Sequence, residues 1–127
     1  MKAILAKNNL CYIGLNSGLP WRSRADFKHF KAMTADSRLL VGYNTFQKLP
    51  PLKGREIILL GRDTFAYDDI DWCIGGKATY ERLAPLFTEL HISHINDNTI
   101  GDTMFPDLRF LNPDCKIFNY YFEVDVS

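Results

Sequence analysis

This sequence predicts a single α/β domain built on a mostly parallel central sheet with flanking helices, on three observations. Short, mainly apolar runs, such as A-I-L-A at 3–6, R-L-L-V-G at 38–42 and I-I-L-L at 57–60, read as strands buried on both faces. They alternate with stretches of helical character, the order expected when crossover helices join parallel strands. No repeat, low-complexity tract or linker interrupts the 127 residues, so 1–127 is expected to be one domain.

In chain order, the strand at 3–6 leads into a loop containing Gly14 and Gly18. Pro20 biases Leu19 away from helical geometry, so the loop stays extended as far as Trp21. A helix is expected from about residue 24 to 33, with Ser23 as its N-cap and Asp26 three residues later, close to the capping-box pattern. The strand at 38–42 runs directly into a short helical segment, Y-N-T-F-Q-K-L, which Pro50 and Pro51 stop. A turn at 52–55 precedes the strand at 57–60, and G-R-D-T-F-A-Y-D-D reads as loop. Trp72, Cys73 and Ile74 form another strand before Gly75 and Gly76. A helix follows over about 77–86, with Pro85 able to end it early. L-H-I-S-H-I at 90–95 is a strand, and F-N-Y-Y-F-E-V near the C-terminus is read as an antiparallel or edge strand.

Fifteen basic and fifteen acidic side chains cancel, which argues against a bulk nucleic-acid or membrane surface. No apolar run approaches membrane-spanning length, and the first residues are too short and polar a stretch for a signal peptide. Cys11, Cys73 and Cys115 are odd in number and far apart, and His29, His91 and His94 are scattered. Free thiols in a reducing cytoplasm fit this pattern, and no metal site is expected.

Within the 24–33 helix, Asp26, Phe27 and Phe30 share one face, with Lys31 at its edge. A carboxylate among aromatic side chains is unusual for a surface helix. The helix dipole also favours an aspartate there, and two phenylalanines also make ordinary core, so spacing alone leaves both readings open. Two strands end at glycine and run straight into a helix, L-L-V-G-Y-N-T-F and W-C-I-G-G-K-A-T-Y. Amides at such turns bind anions, and ligands of open parallel sheets sit beyond the carboxyl ends of the strands. With Arg62 and Lys77 near in sequence, a dinucleotide site is plausible on chemical grounds, although neither G-x-G-x-x-G nor a P-loop is present.

These pieces together resemble the dihydrofolate reductase family. I-G at 13–14, L-P-W at 19–21, D-F-x-x-F-K at 26–31, L-L-V-G-x-x-T-F at 39–46 and L-K-G-R at 52–55 occur in the family's order. They are followed by I-I-L-L-G-R-D at 57–63, I-G-G-K-A-T-Y-E at 74–81, H-I-S-H-I at 91–95 and G-D-T-M-F-P at 101–106. The resemblance implies reduction of 7,8-dihydrofolate by NADPH, with Asp26, Trp21, Leu19 and Ser93 in the catalytic group. Ser93 would support the Asp26 carboxylate. Implied for the substrate are Ile4, Ala6, Asp26, Phe27, Phe30, Lys31, Leu49, Leu52, Arg55, Ile74 and Ser93, with Arg55 clamping the folate glutamate. Implied for NADPH are Ala6, Ile13, Gly14, Leu19, Gly42, Tyr43, Asn44, Thr45, Leu60, Gly61, Arg62 and residues 74–80, namely Ile74, Gly75, Gly76, Lys77, Ala78, Thr79 and Tyr80. Asp102 is expected to latch the loop through its backbone amides. Antifolates would be ligands, and the enzyme would be a cytoplasmic monomer or homodimer without nucleic-acid or membrane partners.

The chain also departs from that family. Only eleven residues separate Arg62 from Ile74, where the family fits a further strand and helix. Tyr43 and Asn44 stand where a basic residue usually meets cofactor phosphate, and the stretch after Pro106 has room for one strand instead of a hairpin. A shortened fold with about six strands and weaker NADPH binding is therefore expected. Two other readings stay open at this point: a pyrimidine reductase of related fold, and a non-catalytic binding or structural protein that kept the pocket.

Overall fold

The computed structural model describes residues 1–126. Its elements run β1 (Lys2–Asn8), β2 (Tyr12–Gly14), α1 (Arg24–Met33), β3 (Arg38–Val41), α2 (Tyr43–Lys48), β4 (Glu56–Leu59) and β5 (Trp72–Cys73), then α3 (Lys77–Leu83), β6 (Glu89–Asn96), β7 (Thr103–Met104) and β8 (Lys116–Glu123). Six strands form one sheet in the order β4-β3-β5-β1-β6-β8, and β2 pairs with β7 in a small second sheet.

Alternation along β1, β3, β4, β5 and β6 buries both faces, whereas the edge strand β8 has no buried residue. Ala3, Leu5, Leu40, Ile58, Cys73, Leu90 and Ile92 join Tyr80, Leu83 and Phe87 in a core on the α3 side. Ile4, Leu39, Val41, Leu59, Trp72 and Ile74 point the other way, against Phe30 and Met33 of α1 and Phe46 of α2. Burying each large side chain in these layers stabilises the fold by about 1.5–3 kcal/mol. This two-sided burial is why the strands read as continuous apolar runs.

Every pairing in the large sheet is parallel, including β6 with β8, where Glu89 faces Lys116 and Asn96 faces Glu123. The expected antiparallel C-terminal strand is therefore corrected: β8 is a parallel edge strand. The cause lies in the connection at 97–115. Its Leu108, Leu111 and Cys115 pack on the α3-side core, and Asn112 N–H donates to Ala84 O. The chain thus crosses back over that face to begin β8 beside the start of β6, where Lys116 N–H donates to Thr88 O at 3.1 Å. A crossover needs about a dozen residues, and this one is longer.

The helix at 24–33 forms as expected, with Asp26 N–H donating to the Ser23 side chain at 3.2 Å. The helix after Gly76 is shorter than expected. It ends at Leu83 and tightens into a 3₁₀ turn over Ala84–Leu86, since Pro85 has no amide to continue the ladder. The loop at 61–69 holds a 3₁₀ turn, Tyr67–Asp69.

Candidate active site

A cleft of about 790 Å³ opens along the carboxyl ends of β1, β3 and β5. Ile4 to Ala6 form its floor. One wall comes from α1 and the facing strand β6, with Asp26, Phe27, Phe30 and Ser93. The other comes from the glycine turns, with residues 42–45 and 74–81.

Asp26 is buried in the third position of α1, with the Ser93 hydroxyl of β6 close enough to its carboxylate to lower its pKa. Burial pushes its pKa above the ordinary carboxylate range, and the Ser93 hydroxyl and the nearby His29 offset this only in part. A carboxyl in this setting keeps its proton to higher pH than a solvated aspartate.

The glycine turns interlock. Gly42 N–H donates to Gly75 O at 2.7 Å. A β-carbon on Gly76 would fall 2.8 Å from Thr45 Oγ1. Gly75 has φ +117°, a conformation that favours glycine. Beneath the turn, the Tyr80 hydroxyl donates to Ile4 O at 2.6 Å, tying α3 to the floor strand, and burial raises the pKa of this phenol.

The loop ahead of α1 closes one end. Leu15 and Gly18 exchange backbone hydrogen bonds at 3.0 Å around Asn16 and Ser17, both with positive φ, so the tip is a tight two-residue hairpin. Asp102 holds this tip: its carboxylate accepts Asn16 N–H at 2.9 Å, and its own N–H donates to Gly14 O at 2.9 Å. Ser17, Gly18 and Leu19 thereby line the cleft.

A family model described as dihydrofolate reductase matches residues 1–73. The chain is 30% identical over 132 residues to dihydrofolate reductase type 9 of Escherichia coli, covering 81% of this chain and 74% of that protein. It is 30% identical over 125 residues to dihydrofolate reductase type 3 of Salmonella typhimurium, covering 83% and 76%. The chain belongs to the dihydrofolate reductase family. The dihydrofolate reductase of Buchnera aphidicola aligns at 27% identity over 94% of this chain and 84% of its own length. Among solved structures, dihydrofolate reductase from Enterococcus faecalis complexed with NADP(H) and RAB-propyl matches with a TM-score of 0.75 and 27% identity, covering 86% of this chain and 78% of that one.

Of the residues that the dihydrofolate reductase resemblance singled out, the cleft gathers Ile4, Ala6, Ile13, Gly14, Leu19, Asp26, Phe27, Phe30, Leu49 and Ser93, with residues 42–45 and 74–80. Others lie outside its wall. Trp21 is buried just before α1, and its Nε1 has no hydrogen-bond partner among the described residues. Lys31 places its ammonium 5.1 Å from the Phe27 ring centre. Leu52 packs into the core beside Phe46, and Leu60 into the other core. Arg55 directs its guanidinium at the carbonyls of Lys31 and Lys53 and at Thr34 Oγ1. Gly61 has φ +88°, and Arg62 bonds to Asp63 at 2.9–3.0 Å while its head lies 5.4 Å from the Phe46 ring centre.

Sequence reasoning missed Leu5, Ser17, Gly18, Lys48, Pro50, Glu81 and Thr103 of the cleft wall. Helical spacing could have found two of them. Lys48 falls four residues after Asn44, and Glu81 four after Lys77, each on the face already facing the cleft.

Proposed function

We propose that this chain reduces 7,8-dihydrofolate to 5,6,7,8-tetrahydrofolate with NADPH, by hydride transfer to C6 and protonation at N5. The observation that carries the reading is Asp26: a buried carboxyl with a raised pKa, backed by Ser93 and flanked by Phe27 and Phe30, opposite paired glycine turns in one cleft.

The chain's residues suit both molecules. The aromatic and aliphatic wall of Phe27, Phe30, Leu49 and Ile4 matches a flat heteroaromatic ring, and Asp26 gives that wall one acceptor for an amidine edge. Arg55, at the C-terminal end of α1, is our candidate for the glutamate carboxylate. On the opposite wall, Thr45, Lys48, Lys77 and Thr79 offer polar and cationic groups beside glycines that would admit a phosphate backbone closely. NADPH supplies the hydride when bound. Asp26 binds and orients the pterin edge, and its raised pKa lets it hold a proton to higher pH than a solvated aspartate, for relay to N5. Leu19 and the loop tip line the cleft, where they would shield the reacting rings from water once both molecules are bound.

On this reading the protein serves one-carbon metabolism in the cytoplasm, is a target for antifolates, and acts as a monomer or homodimer. Absorbance-monitored NADPH oxidation with dihydrofolate tests it. Wild type should turn over, and Asp26→Asn should lose roughly a hundredfold or more near neutral pH. Antifolate binding without any NADPH oxidation would overturn the reading.

A further inference from the structure

The helix that carries Asp26 has two caps, and one of them comes from the far end of the sequence. Ser23 supplies the local one, accepting Asp26 N–H at 3.2 Å. Its hydroxyl in turn donates to Glu123 O, the last residue of β8, at 2.7 Å. Two residues further on, Asp125 N–H donates to Arg22 O at 2.8 Å, and the Asp125 carboxylate accepts Arg24 N–H through Oδ1 at 2.9 Å. Its other oxygen, Oδ2, lies 3.4 Å from the Nε of both Arg22 and Arg24.

The first amides of a helix have no partner within it, and a carboxylate is the favoured acceptor because the helix dipole is positive there. In α1 the labour is divided: Ser23 takes the Asp26 amide and Asp125 takes the Arg24 amide. The ion pairs themselves contribute little. The two arginine side chains are 80% and 81% exposed, whereas Asp125 is only 24% exposed. The grip is made by the backbone bonds. It falls on residues 22–24, between Trp21 and Asp26, where a small rotation would carry the Asp26 carboxylate away from Ser93.

We propose that Asp125 is a positioning residue: it fixes the first turn of α1 so that Asp26 is held at its working place in the cleft. It does not line the cleft itself. The inference rests on the reductase reading for its kinetic half only.

The test compares wild type, Asp125→Ala and Asp125→Asn at a temperature where all three are folded. It measures amide hydrogen exchange over residues 22–27 and steady-state NADPH oxidation with dihydrofolate. Asp125→Ala should lose protection at Arg24 and Asp26 and about tenfold in kcat, because a misplaced catalytic group is costly, with KM for NADPH within twofold of wild type. Asp125→Asn keeps an oxygen for Arg24 N–H and should recover most of both. Unchanged protection or unchanged kcat in the alanine variant overturns the proposal, as does an asparagine variant no better than alanine. A wild type without turnover would refute the reductase reading, and the exchange data alone would then decide: lost protection sustains the cap, and retained protection removes it.

Discussion

A β-carbon on Gly42 would lie 2.5 Å from Thr79 Oγ1, closer than a real β-carbon comes to a non-bonded atom. Gly42 precedes α2 and Thr79 belongs to α3, and Gly76 meets Thr45 in the same way across the pair. Gly42→Ala should therefore cost about 1–3 kcal/mol of stability and weaken NADPH binding. Thr79→Ala removes the colliding hydroxyl. The double variant should be more stable in thermal denaturation than the additive sum of the two single ones, a coupling expected only of residues in contact.

Asp26 gives a pH signature in stability as well as in rate. Its pKa is raised in the folded state, so between the ordinary aspartate value of about 4 and the raised one the folded protein binds more protons than the unfolded chain. Stability consequently falls as pH rises through that window. Asp26→Asn lacks the buried charge and should be more stable than wild type at neutral pH, and the advantage should vanish in acid. Denaturant melts at a series of pH values measure this, and parallel curves for the two proteins would contradict it.

Asp102 behaves in the opposite sense. The Asn16 amide, and secondly the Thr103 hydroxyl, hold its carboxyl below the ordinary range, so the latch persists above that lowered pKa and weakens as pH falls through it. Asp102→Ala should release the loop tip at neutral pH. Faster hydrogen exchange at Asn16 and faster proteolysis within 15–19 are the expected readouts.

Tyr43 is exposed at the start of α2 and lines the cleft without bringing charge. Arg62 is engaged with Asp63. Tyr43→Lys should accordingly lower KM for NADPH by about three- to tenfold, with a smaller effect at high salt, as an added phosphate contact requires. A KM unmoved by the substitution would place the phosphates elsewhere.

The fold was legible wherever burial dictated residue type. The two-sided strands at 38–41 and 56–59 and the capped helix at 24–33 carry their own signals. The direction of β8 does not: its aromatic residues mark a strand, and only the path of residues 97–115 decides which way it runs. The pairing of β2 with β7 escaped for a similar reason, being three residues against two and shaped by the turn at Asn16 and Ser17. At the site, Asp26 stood out because a carboxylate among phenylalanines is chemically unusual. Lys48 did not, since an exposed lysine on a short helix looks like any solvated side chain. Trp21 and Arg55 were singled out only through the family resemblance, and both lie outside the cleft wall.

The bonds from Ser23 to Glu123 and from Arg24 to Asp125 join positions 100 and 101 residues apart. A helix of ten residues is marginal alone in water. During synthesis α1 leaves the ribosome long before its second cap exists, and chains grow N-terminus first. The nascent protein thus carries the Asp26 helix with Ser23 as its local cap, and the Arg24 amide gains its acceptor only when Asp125 arrives.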